Sequence, residues 1–288
     1  MFPIKFQDLY DNVTAIIIIV IILVILFMFW YILPQINNML VFRPYKATQK
    51  EFNKLATKYS GHVKQIDFEA EDGTKLSGML VNNFREPKWT DIIFLYSHGN
   101  AFWLGGMFGC KSLKFLSKYG SIFAYDYRGY GLSDGSVSEE GCYDDIMGAW
   151  NYLTKSRGVS SDKIIIFGHS LGSAISTHLI TDLVKSNSPL PKAVILWAPL
   201  SSARDMADRM LNGLSLVTIA KFSNMDNLQE INGEIPVVIM HSKDDETVPY
   251  EQGIKLKENT ISDFIEISGN HCQFHYNDKV KSYLKKLI

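Results

Sequence analysis

One serine of the sequence lies in a pattern that can do nucleophilic chemistry. Residues 168–172 read Gly-His-Ser-Leu-Gly, which is the spacing GxSxG around Ser170. An isoleucine-rich run, Lys163–Phe167, precedes it, and a helix-like stretch, Leu171–Val184, follows it. A tight strand-to-helix turn needs small residues on both sides of the serine. It projects the hydroxyl beyond the sheet, at a helix N-terminus that favours negative charge. The pattern therefore predicts that Ser170 is a nucleophile.

A serine nucleophile requires a base that removes its proton and an acid that orients the base. Where a serine occupies such a turn, the acid follows it in the chain and the histidine comes last. Of the seven histidines, His271 and His275 follow both Ser170 and a plausible acid. His271 comes after Ser-Gly-Asn, in a predicted loop beyond the last strand, so we favour it as the base. We expect His275 in the first turn of the final helix, as a surface or packing residue.

The acid is expected in the loop after the penultimate strand. That strand is predicted at Pro236–Met240, and residues 241–249 follow it as His-Ser-Lys-Asp-Asp-Glu-Thr-Val-Pro. Asp244 and Asp245 are adjacent in this loop, and we expect only one of them to face the site. The other would cap or solvate the loop, which is the ordinary role of a loop aspartate.

A tetrahedral intermediate of acyl transfer needs backbone amides that hold its oxyanion. One amide belongs to the residue after the nucleophile, here Leu171, and another to the loop after the third strand. That loop follows the predicted strand Ile92–Tyr96 and reads Ser-His-Gly-Asn-Ala, with Gly99 allowing close backbone approach. The predicted oxyanion hole therefore consists of the N–H groups of Asn100 and Leu171.

Short apolar runs alternate with helical stretches through most of the chain. His62–Ala70 and Leu76–Asn82 alternate in polarity around a turn, Glu71-Asp72-Gly73, and predict a hairpin. Six later runs are rich in Ile, Val and Phe, as strands buried on both faces are. This alternation predicts an α/β fold with a mostly parallel eight-stranded sheet and helices on both faces. The six runs are Ile92–Tyr96, Ser121–Tyr125, Lys163–Phe167, Ala193–Trp197, Pro236–Met240 and Phe264–Ile267, and the helical stretches are Phe102–Lys118, Glu139–Lys155, Leu171–Val184, Gln252–Glu258 and Phe274–Ile288.

Taken together, four motifs resemble the membrane-anchored α/β-hydrolase-domain serine hydrolases whose oxyanion loop reads His-Gly-Asn-Ala. The resemblance implies the α/β-hydrolase fold with a small cap, favours Asp245 as the acid, and implies acyl transfer without a cofactor. Residue 242 is serine where the family usually has glycine. The motifs are His-Gly-Asn-Ala at 98–101, Asp-Tyr-Arg-Gly-Tyr-Gly-Leu-Ser at 126–133, GxSxG at 168–172, and Asp245-x-x-Val248-Pro249 with the later His271.

Composition excludes several other classes of protein. The formal charge is −1, so no basic excess points to a nucleic-acid partner. The three cysteines, Cys110, Cys142 and Cys272, are too few and too widely spaced for a disulfide framework. The sequence contains neither HExxH nor a Cys/His cluster, so we expect no metal. The glycines at 129–135 miss the GxGxxG spacing because residue 134 is Asp, so we expect no dinucleotide cofactor.

The N-terminal part predicts an anchor in the membrane. Ala15–Leu33 is an uncharged apolar run, and as a helix it would extend ~28 Å, close to the hydrocarbon thickness of a bilayer. We expect residues 1–14 as a short leading segment, 15–33 as an uncleaved single transmembrane helix, 34–61 as a tether and 62–288 as the catalytic domain. One basic residue, Lys5, precedes the run, whereas Arg43, Lys46 and Lys50 follow it, and this excess predicts a cytosolic catalytic domain.

The sequence thus predicts a serine hydrolase that acts on ester or thioester bonds of acyl lipids or lipidated proteins at a membrane. Residues 200–234 leave room for only a small apolar cap, with a helix such as Ala203–Leu211. An open site of this kind accepts bulky acyl chains. Two alternatives stay open: a serine peptidase, and a scaffold on the same fold without catalytic activity.

Overall fold

A computed structural model describes residues 6–32, 35, 38–39, 41–59, 62–82, 92–107, 111–210, 213, 218 and 221–288. Most of the predicted catalytic domain and all five predicted site residues fall within these ranges. Cys110 and several apolar residues of the predicted cap, Leu211, Leu214, Leu216 and Val217, lie outside them. The two other cysteines are free thiols, with Cys142 buried and Cys272 exposed.

One large mixed sheet organises the described part of the chain. Its nine strands run in the spatial order β11-β10-β9-β8-β7-β4-β6-β3-β2, and the short strands β1 and β5 pair separately. Neighbours from β6 to β10 are parallel, whereas β2, β3 and β11 join antiparallel. The strands are β1 Arg43–Pro44, β2 Val63–Glu69, β3 Lys75–Val81, β4 Ile93–Ser97, β5 Ala101–Phe102, β6 Ser121–Tyr125, β7 Ile164–His169, β8 Ala193–Trp197, β9 Val237–Ser242, β10 Asp263–Asn270 and β11 Gln273–His275.

The predicted mostly parallel eight-stranded sheet is confirmed by strands β2 to β4 and β6 to β10. The central strands are buried along their whole length because helices cover both faces of the sheet. One apolar core contains Ile166 and Ile175, and the other contains Phe167 and Leu284. Side chains of adjacent strand residues point to opposite faces, so Ile166 and Phe167 enter different cores.

Two helical predictions differ from the structure. The stretch Phe102–Lys118 contains two short helices rather than one, and the closing helix begins at Asp278. The segment 200–234 contains a second helix, Asn224–Ile231, after the one expected at its start. His275 is exposed, in agreement with its prediction as a surface residue, but it ends strand β11 and does not lie in the first turn of the closing helix. The helices are α1 Phe6–Phe27, α2 Gln49–Lys58, α3 Leu104–Met107, α4 Lys111–Leu116, α5 Glu139–Asn151, α6 Leu171–Lys185, α7 Ala203–Met210, α8 Asn224–Ile231, α9 Tyr250–Asn259 and α10 Asp278–Leu287.

Helix α1 carries most of the apolar N-terminal run, and a π-helical segment, Met28–Ile32, continues it. The side chains from Val13 to Phe29 are exposed. No helix among the residues with described placement has both the length and the apolar character that a membrane crossing demands. The transmembrane span predicted at 15–33 therefore stays a prediction.

The chain between this helix and the sheet packs onto the catalytic domain. Phe42 is buried and meets the ring of Phe222 edge-on at 5.6 Å, and Phe52 on α2 is buried against Trp103. Strand β1 lies parallel to β5, with Arg43 opposite Ala101. This pairing places Arg43 directly beside the loop that carries the predicted oxyanion donor.

Candidate active site

Ser170 occupies a strained turn between β7 and α6. Its φ of 54° and ψ of −122° lie in a region that residues other than glycine rarely adopt, and its N–H donates to the carbonyl of Trp197 at 2.9 Å. The flanking glycines are required sterically. A Cβ on Gly172 would lie 2.3 Å from the Ser97 carbonyl oxygen, and one on Gly168 would lie 2.6 Å from that of Gly172. The GxSxG spacing thus corresponds to a crowded turn that presents Ser170 at the carboxyl end of the sheet.

Asp245 and His271 meet at the same end of the sheet. The Nδ1–H of His271 donates to Asp245 Oδ2 at 2.8 Å, with Oδ1 at 3.1 Å, which leaves Nε2 able to accept a proton. His271 lies in the two-residue turn between β10 and β11, where the Asn270 side chain accepts the N–H groups of Cys272 and Gln273. The hairpin therefore holds the imidazole in a fixed loop beside the acid.

The acid loop points one of its two aspartates into the protein. The side chain of Asp245 is 1% exposed, whereas Asp244 is exposed. Burial raises the pKa of Asp245, but hydrogen bonds from His271 and from the N–H groups of Val248 and Thr247 outweigh burial and lower the pKa below its ordinary value. Ser242, the departure from the family pattern, accepts the Asp244 N–H through its hydroxyl at 3.1 Å.

Two buried histidines that the sequence analysis did not single out donate hydrogen bonds to the backbone of these loops. His169 donates its Nε2–H to the backbone carbonyl of His271 at 3.0 Å and stacks on Trp197, with ring centroids 4.0 Å apart. His241 donates its Nε2–H to the carbonyl of Val248 at 2.9 Å. Burial lowers the pKa of both imidazoles, so both are neutral at physiological pH. We call Asp245, His271, His169 and His241 the acid–base side of the site.

Three consecutive backbone carbonyls of the oxyanion loop accept hydrogen bonds from side chains. The carbonyl of His98 accepts from Tyr127 Oη at 2.7 Å, that of Gly99 from His98 Nδ1 at 2.7 Å, and that of Asn100 from Tyr130 Oη at 2.7 Å. The Gly99 carbonyl shares a peptide plane with the N–H of Asn100. Since a trans peptide points its C=O and N–H in opposite directions, this bond from His98 orients the predicted oxyanion donor.

The second predicted donor is oriented in the same way. The carbonyl of Ser170 shares a peptide plane with the N–H of Leu171, and it accepts from the Ser173 hydroxyl at 2.5 Å and from the Ser173 N–H at 3.0 Å. Both predicted donor peptides therefore receive hydrogen bonds on their carbonyl side. Such bonds polarise a peptide and strengthen the hydrogen bond that its N–H can donate.

A buried acid and a buried imidazole lie beneath the oxyanion loop. Burial raises the pKa of Asp126 to about 7 and lowers the pKa of His98 to about 4. The Oδ1 of Asp126 accepts the Leu104 N–H at 2.9 Å and lies 3.7 Å from His98 Nε2, which has no hydrogen-bond partner among the described residues. His98 is therefore neutral at pH 7, and its proton is on Nδ1, facing the Gly99 carbonyl.

A cavity of about 280 Å³ opens beside the nucleophile. Ser170, Leu171 and Asn100 line it together, so the predicted nucleophile and both predicted oxyanion residues border one space. Most of the remaining wall is apolar, and helix α7 contributes part of it. We call this wall, with Arg43, the cavity side. The other lining residues are Met39, Val41, Leu200, Ala203, Met206, Ala207, Thr218, Thr247 and Val248.

No cluster of three or more His, Cys, Asp or Glu side chains within the described ranges could hold a metal ion. The types and positions of the site residues match the predicted acyl-transfer site. A strained serine, an aspartate-oriented imidazole and two polarised peptides lie at the carboxyl ends of parallel strands, where open α/β sheets place their ligands.

Comparisons with known proteins agree with the fold. The family described as "Serine aminopeptidase, S33" matches residues 114–225. An α/β hydrolase from Vibrio vulnificus superposes with a TM-score of 0.71 at 20% identity, covering 89% of this chain and 92% of that one. A Pyrococcus furiosus esterase superposes with a TM-score of 0.62 at 16% identity, covering 86% and 96%. The chain therefore has the α/β-hydrolase fold.

The chain also has relatives among curated proteins. The uncharacterized protein R595 of Acanthamoeba polyphaga mimivirus is 27% identical over 82% of this chain and 86% of its own length. Lysophosphatidylserine lipase ABHD12 of Danio rerio is 31% identical over 68% of this chain, and α/β hydrolase domain-containing protein 17B of Homo sapiens is 33% identical over 65%. This chain spans only 54% of the former and 60% of the latter. In sequence, the chain is thus similar to a lysophosphatidylserine lipase and to an α/β hydrolase domain-containing protein.

Proposed function

We propose that this protein is a serine hydrolase that cleaves carboxylic ester or thioester bonds, with Ser170 as nucleophile, His271 as base and Asp245 as the orienting acid. One observation carries the proposal. The Asp245–His271 pair leaves the Nε2 of an oriented imidazole at the same end of the sheet as a strained serine. That serine also opens onto an apolar cavity.

The proposed reaction has two steps. His271 Nε2 removes the Ser170 hydroxyl proton while Oγ attacks the acyl carbonyl, and the N–H groups of Asn100 and Leu171 hold the oxyanion. His271 then gives the proton to the leaving alcohol or thiol, which departs and leaves an acyl-serine. Water, deprotonated by His271, attacks the acyl-serine and releases the acid. Each oxyanion donor would contribute about 3 kcal/mol to lowering the barrier.

An acyl chain suits the cavity better than a polar metabolite. Leu200 and Met206, and the side chains around them, offer aliphatic surface next to Ser170. Several relatives carry the name lysophosphatidylserine lipase, which is in keeping with an acyl-lipid substrate for this chain as well. We therefore propose acyl lipids or lipidated proteins as substrates.

We further propose that the substrate is met at a membrane. The sequence supports this through the uncharged run 15–33, which would anchor the tether 34–61 and the catalytic domain 62–288. The basic residues Arg43, Lys46 and Lys50, after the run, favour a cytosolic catalytic domain. A full-length variant with Ile19→Lys and Ile22→Lys should be released from membranes by alkaline wash, because each lysine disfavours insertion by about 3 kcal/mol. A variant that stays embedded would contradict the anchor.

A serine peptidase is the second candidate, because the matching family is described as a serine aminopeptidase family. The chemistry of the nucleophile would be the same, and only the leaving group would differ. Incubation with matched acyl esters, acyl thioesters and peptides separates the two. Faster cleavage of the peptides would replace the esterase proposal.

The nucleophile is tested by labelling with a fluorophosphonate probe. The wild-type protein should be labelled and Ser170→Ala should not, because the probe phosphonylates an activated serine oxygen. Ser186→Ala, an exposed serine after the same helix, is the matched control and should label like wild type. Full labelling of Ser170→Ala would overturn the assignment, and a wild-type protein that resists the probe would favour an inactive scaffold.

A further inference from the structure

The cavity beside Ser170 has one charged residue in its described wall. Of the residues that line it, Arg43 alone carries an ionisable side chain, and the others are apolar, hydroxyl or amide residues. A guanidinium beside an otherwise uncharged wall favours anionic over neutral ligands, because it can form charge-assisted hydrogen bonds with them. The charge of this arginine therefore bears on which substrates the cavity accepts.

Arg43 lies next to the proposed reaction centre. Its backbone N–H donates to the Asn100 carbonyl at 3.0 Å, and its strand β1 pairs with β5. Its position is thereby tied to the oxyanion loop. Arg43, Asn100 and Ser170 line the same cavity, so a ligand whose carbonyl lies at Ser170 is within reach of the arginine side chain.

The guanidinium is free to meet a ligand. The side chain is exposed, and it forms no ion pair with any carboxylate in the part of the chain that the structure describes. The buried Arg128, by contrast, binds both Asp145 and Asp72. The guanidinium of Arg43 therefore offers several N–H donors in a planar set that matches phosphate and carboxylate groups.

A negatively charged residue, Glu246, lies beside His271. Glu246 lies next to the cavity residue Thr247, and its Oε2 faces the backbone N–H of His271 at 3.4 Å. An anionic group would be repelled by Glu246 and attracted to Arg43. The apolar wall with Leu200, Ala203 and Met206 is suited to the acyl chain, so the anion belongs to the alcohol part of the ester.

From this geometry we infer that Arg43 selects acyl esters whose alcohol part carries an anionic group, phosphate or carboxylate, close to the scissile bond. The inference rests on the proposed esterase function and specifies its substrate class. Charge-assisted hydrogen bonds of this kind correspond to a preference of about tenfold or more over the neutral ester.

The test compares three lauroyl esters with the full-length protein in detergent: 1-lauroyl-glycerol, 1-lauroyl-glycerol 3-phosphate and the lauroyl ester of glyceric acid. Wild type should show a kcat/KM at least about tenfold higher for the anionic esters than for the neutral one. Arg43→Gln should remove this ratio, Arg43→Lys should keep part of it, and Arg43→Glu should reverse it. The matched control is Arg204→Gln on α7, an exposed arginine one residue from the cavity wall, which should keep the wild-type ratio. The two anionic esters separate phosphate from carboxylate recognition.

Binding separates this inference from the proposed function. Ser170→Ala should bind the non-hydrolysable ether analogue of the lauroyl phosphate ester more tightly than the neutral ether, and Arg43→Gln added to it should remove the difference. If Ser170→Ala shows this binding preference but the wild-type protein hydrolyses none of the three esters, the esterase function is refuted and the role of Arg43 stands. Equal use of neutral and anionic esters, or an unchanged ratio in Arg43→Gln, would overturn the inference.

Discussion

The two sides of the site are built by different forces. On the acid–base side, a hydrogen bond joins Asp245 to His271. Two buried neutral histidines donate hydrogen bonds to the backbone of the loops that carry this pair. On the cavity side, helix α7 and its neighbours present apolar surface with one unpaired arginine. Directional bonds fix one geometry, whereas apolar contact tolerates substitution when volume is conserved.

This difference assigns separate tasks to the two sides. Changes on the acid–base side should lower the rate for every substrate, because they disturb proton transfer itself. Changes on the cavity side should alter which substrate is preferred. The substitutions of Asp245, His169 and Ala207 test that separation, and a fourth tests stability.

The largest effect is expected for the acid. Asp245→Asn should lower kcat by about 10³- to 10⁴-fold for all esters, because an amide no longer holds the His271 tautomer or stabilises the imidazolium. Asp244→Asn is the matched control, and its exposed side chain should leave kcat within about twofold. Steady-state kinetics on a neutral short-chain ester measures both. A severe defect in Asp244→Asn, with a mild one in Asp245→Asn, would exchange their roles.

The next effect concerns His169, which contacts the His271 backbone but not the substrate. His169→Leu removes its N–H and should lower kcat by about tenfold or more, since small displacements of a catalytic group are costly. His169→Gln can still donate a hydrogen bond and should recover most of the rate. The pH profile of kcat/KM should shift in His169→Leu and not in His169→Gln. Equal loss in both variants would indicate a packing role instead of a positioning role.

The cavity side should respond through chain-length preference. Ala207→Leu adds aliphatic volume to the cavity wall and should lower kcat/KM for lauroyl relative to butyryl esters by about tenfold, because a lost methylene site costs about 1 kcal/mol or more. Arg204→Leu on the same helix lies outside the wall and should leave the ratio unchanged. If Ala207→Leu slowed both chain lengths equally, the separation of tasks would fail.

The smallest effect on activity is expected for Asp126, which should be seen in stability instead. Its folded pKa of about 7 lies above the value of about 3.9 expected in the unfolded chain. The contribution of this group to the free energy of unfolding is therefore present below about pH 4 and lost as the pH rises through 7. In urea unfolding, the free energy of unfolding of Asp126→Asn should rise relative to that of wild type by up to about 4 kcal/mol between pH 4 and pH 7.5. A constant difference would show that Asp126 is not protonated in the folded protein.

The sequence was most informative where local chemistry decides the structure. The buried strands were predicted because short apolar runs such as Ala193–Trp197 leave few alternatives, and the GxSxG turn because its glycines are sterically required. The residues proposed as acid and base, Asp245 and His271, lie in contact although 26 positions separate them. Their order along the chain left two histidines and two aspartates as candidates, the position of His271 in a predicted loop favoured it as the base, and the family resemblance favoured Asp245 as the acid.

Tertiary contacts were invisible to the same reasoning. The role of His169 depends on a carbonyl 102 residues away, and no local pattern indicates it. Strand β11 forms because Gln273–His275 pairs with the edge of β10. This pairing is not visible in the local sequence, which had predicted a helix that begins in this segment. Arg43 was counted only as a basic residue after an apolar run, because its proximity to Asn100 requires the pairing of β1 with β5.

The backbone of Ser170 has a consequence for the evolution of this protein. A serine at this φ and ψ costs about 1–3 kcal/mol relative to a relaxed backbone, and glycine would remove most of that cost. A laboratory population selected only for survival of heating would therefore accumulate Ser170→Gly. Such variants would be more stable but inactive, so a single substitution would raise heat resistance and abolish turnover.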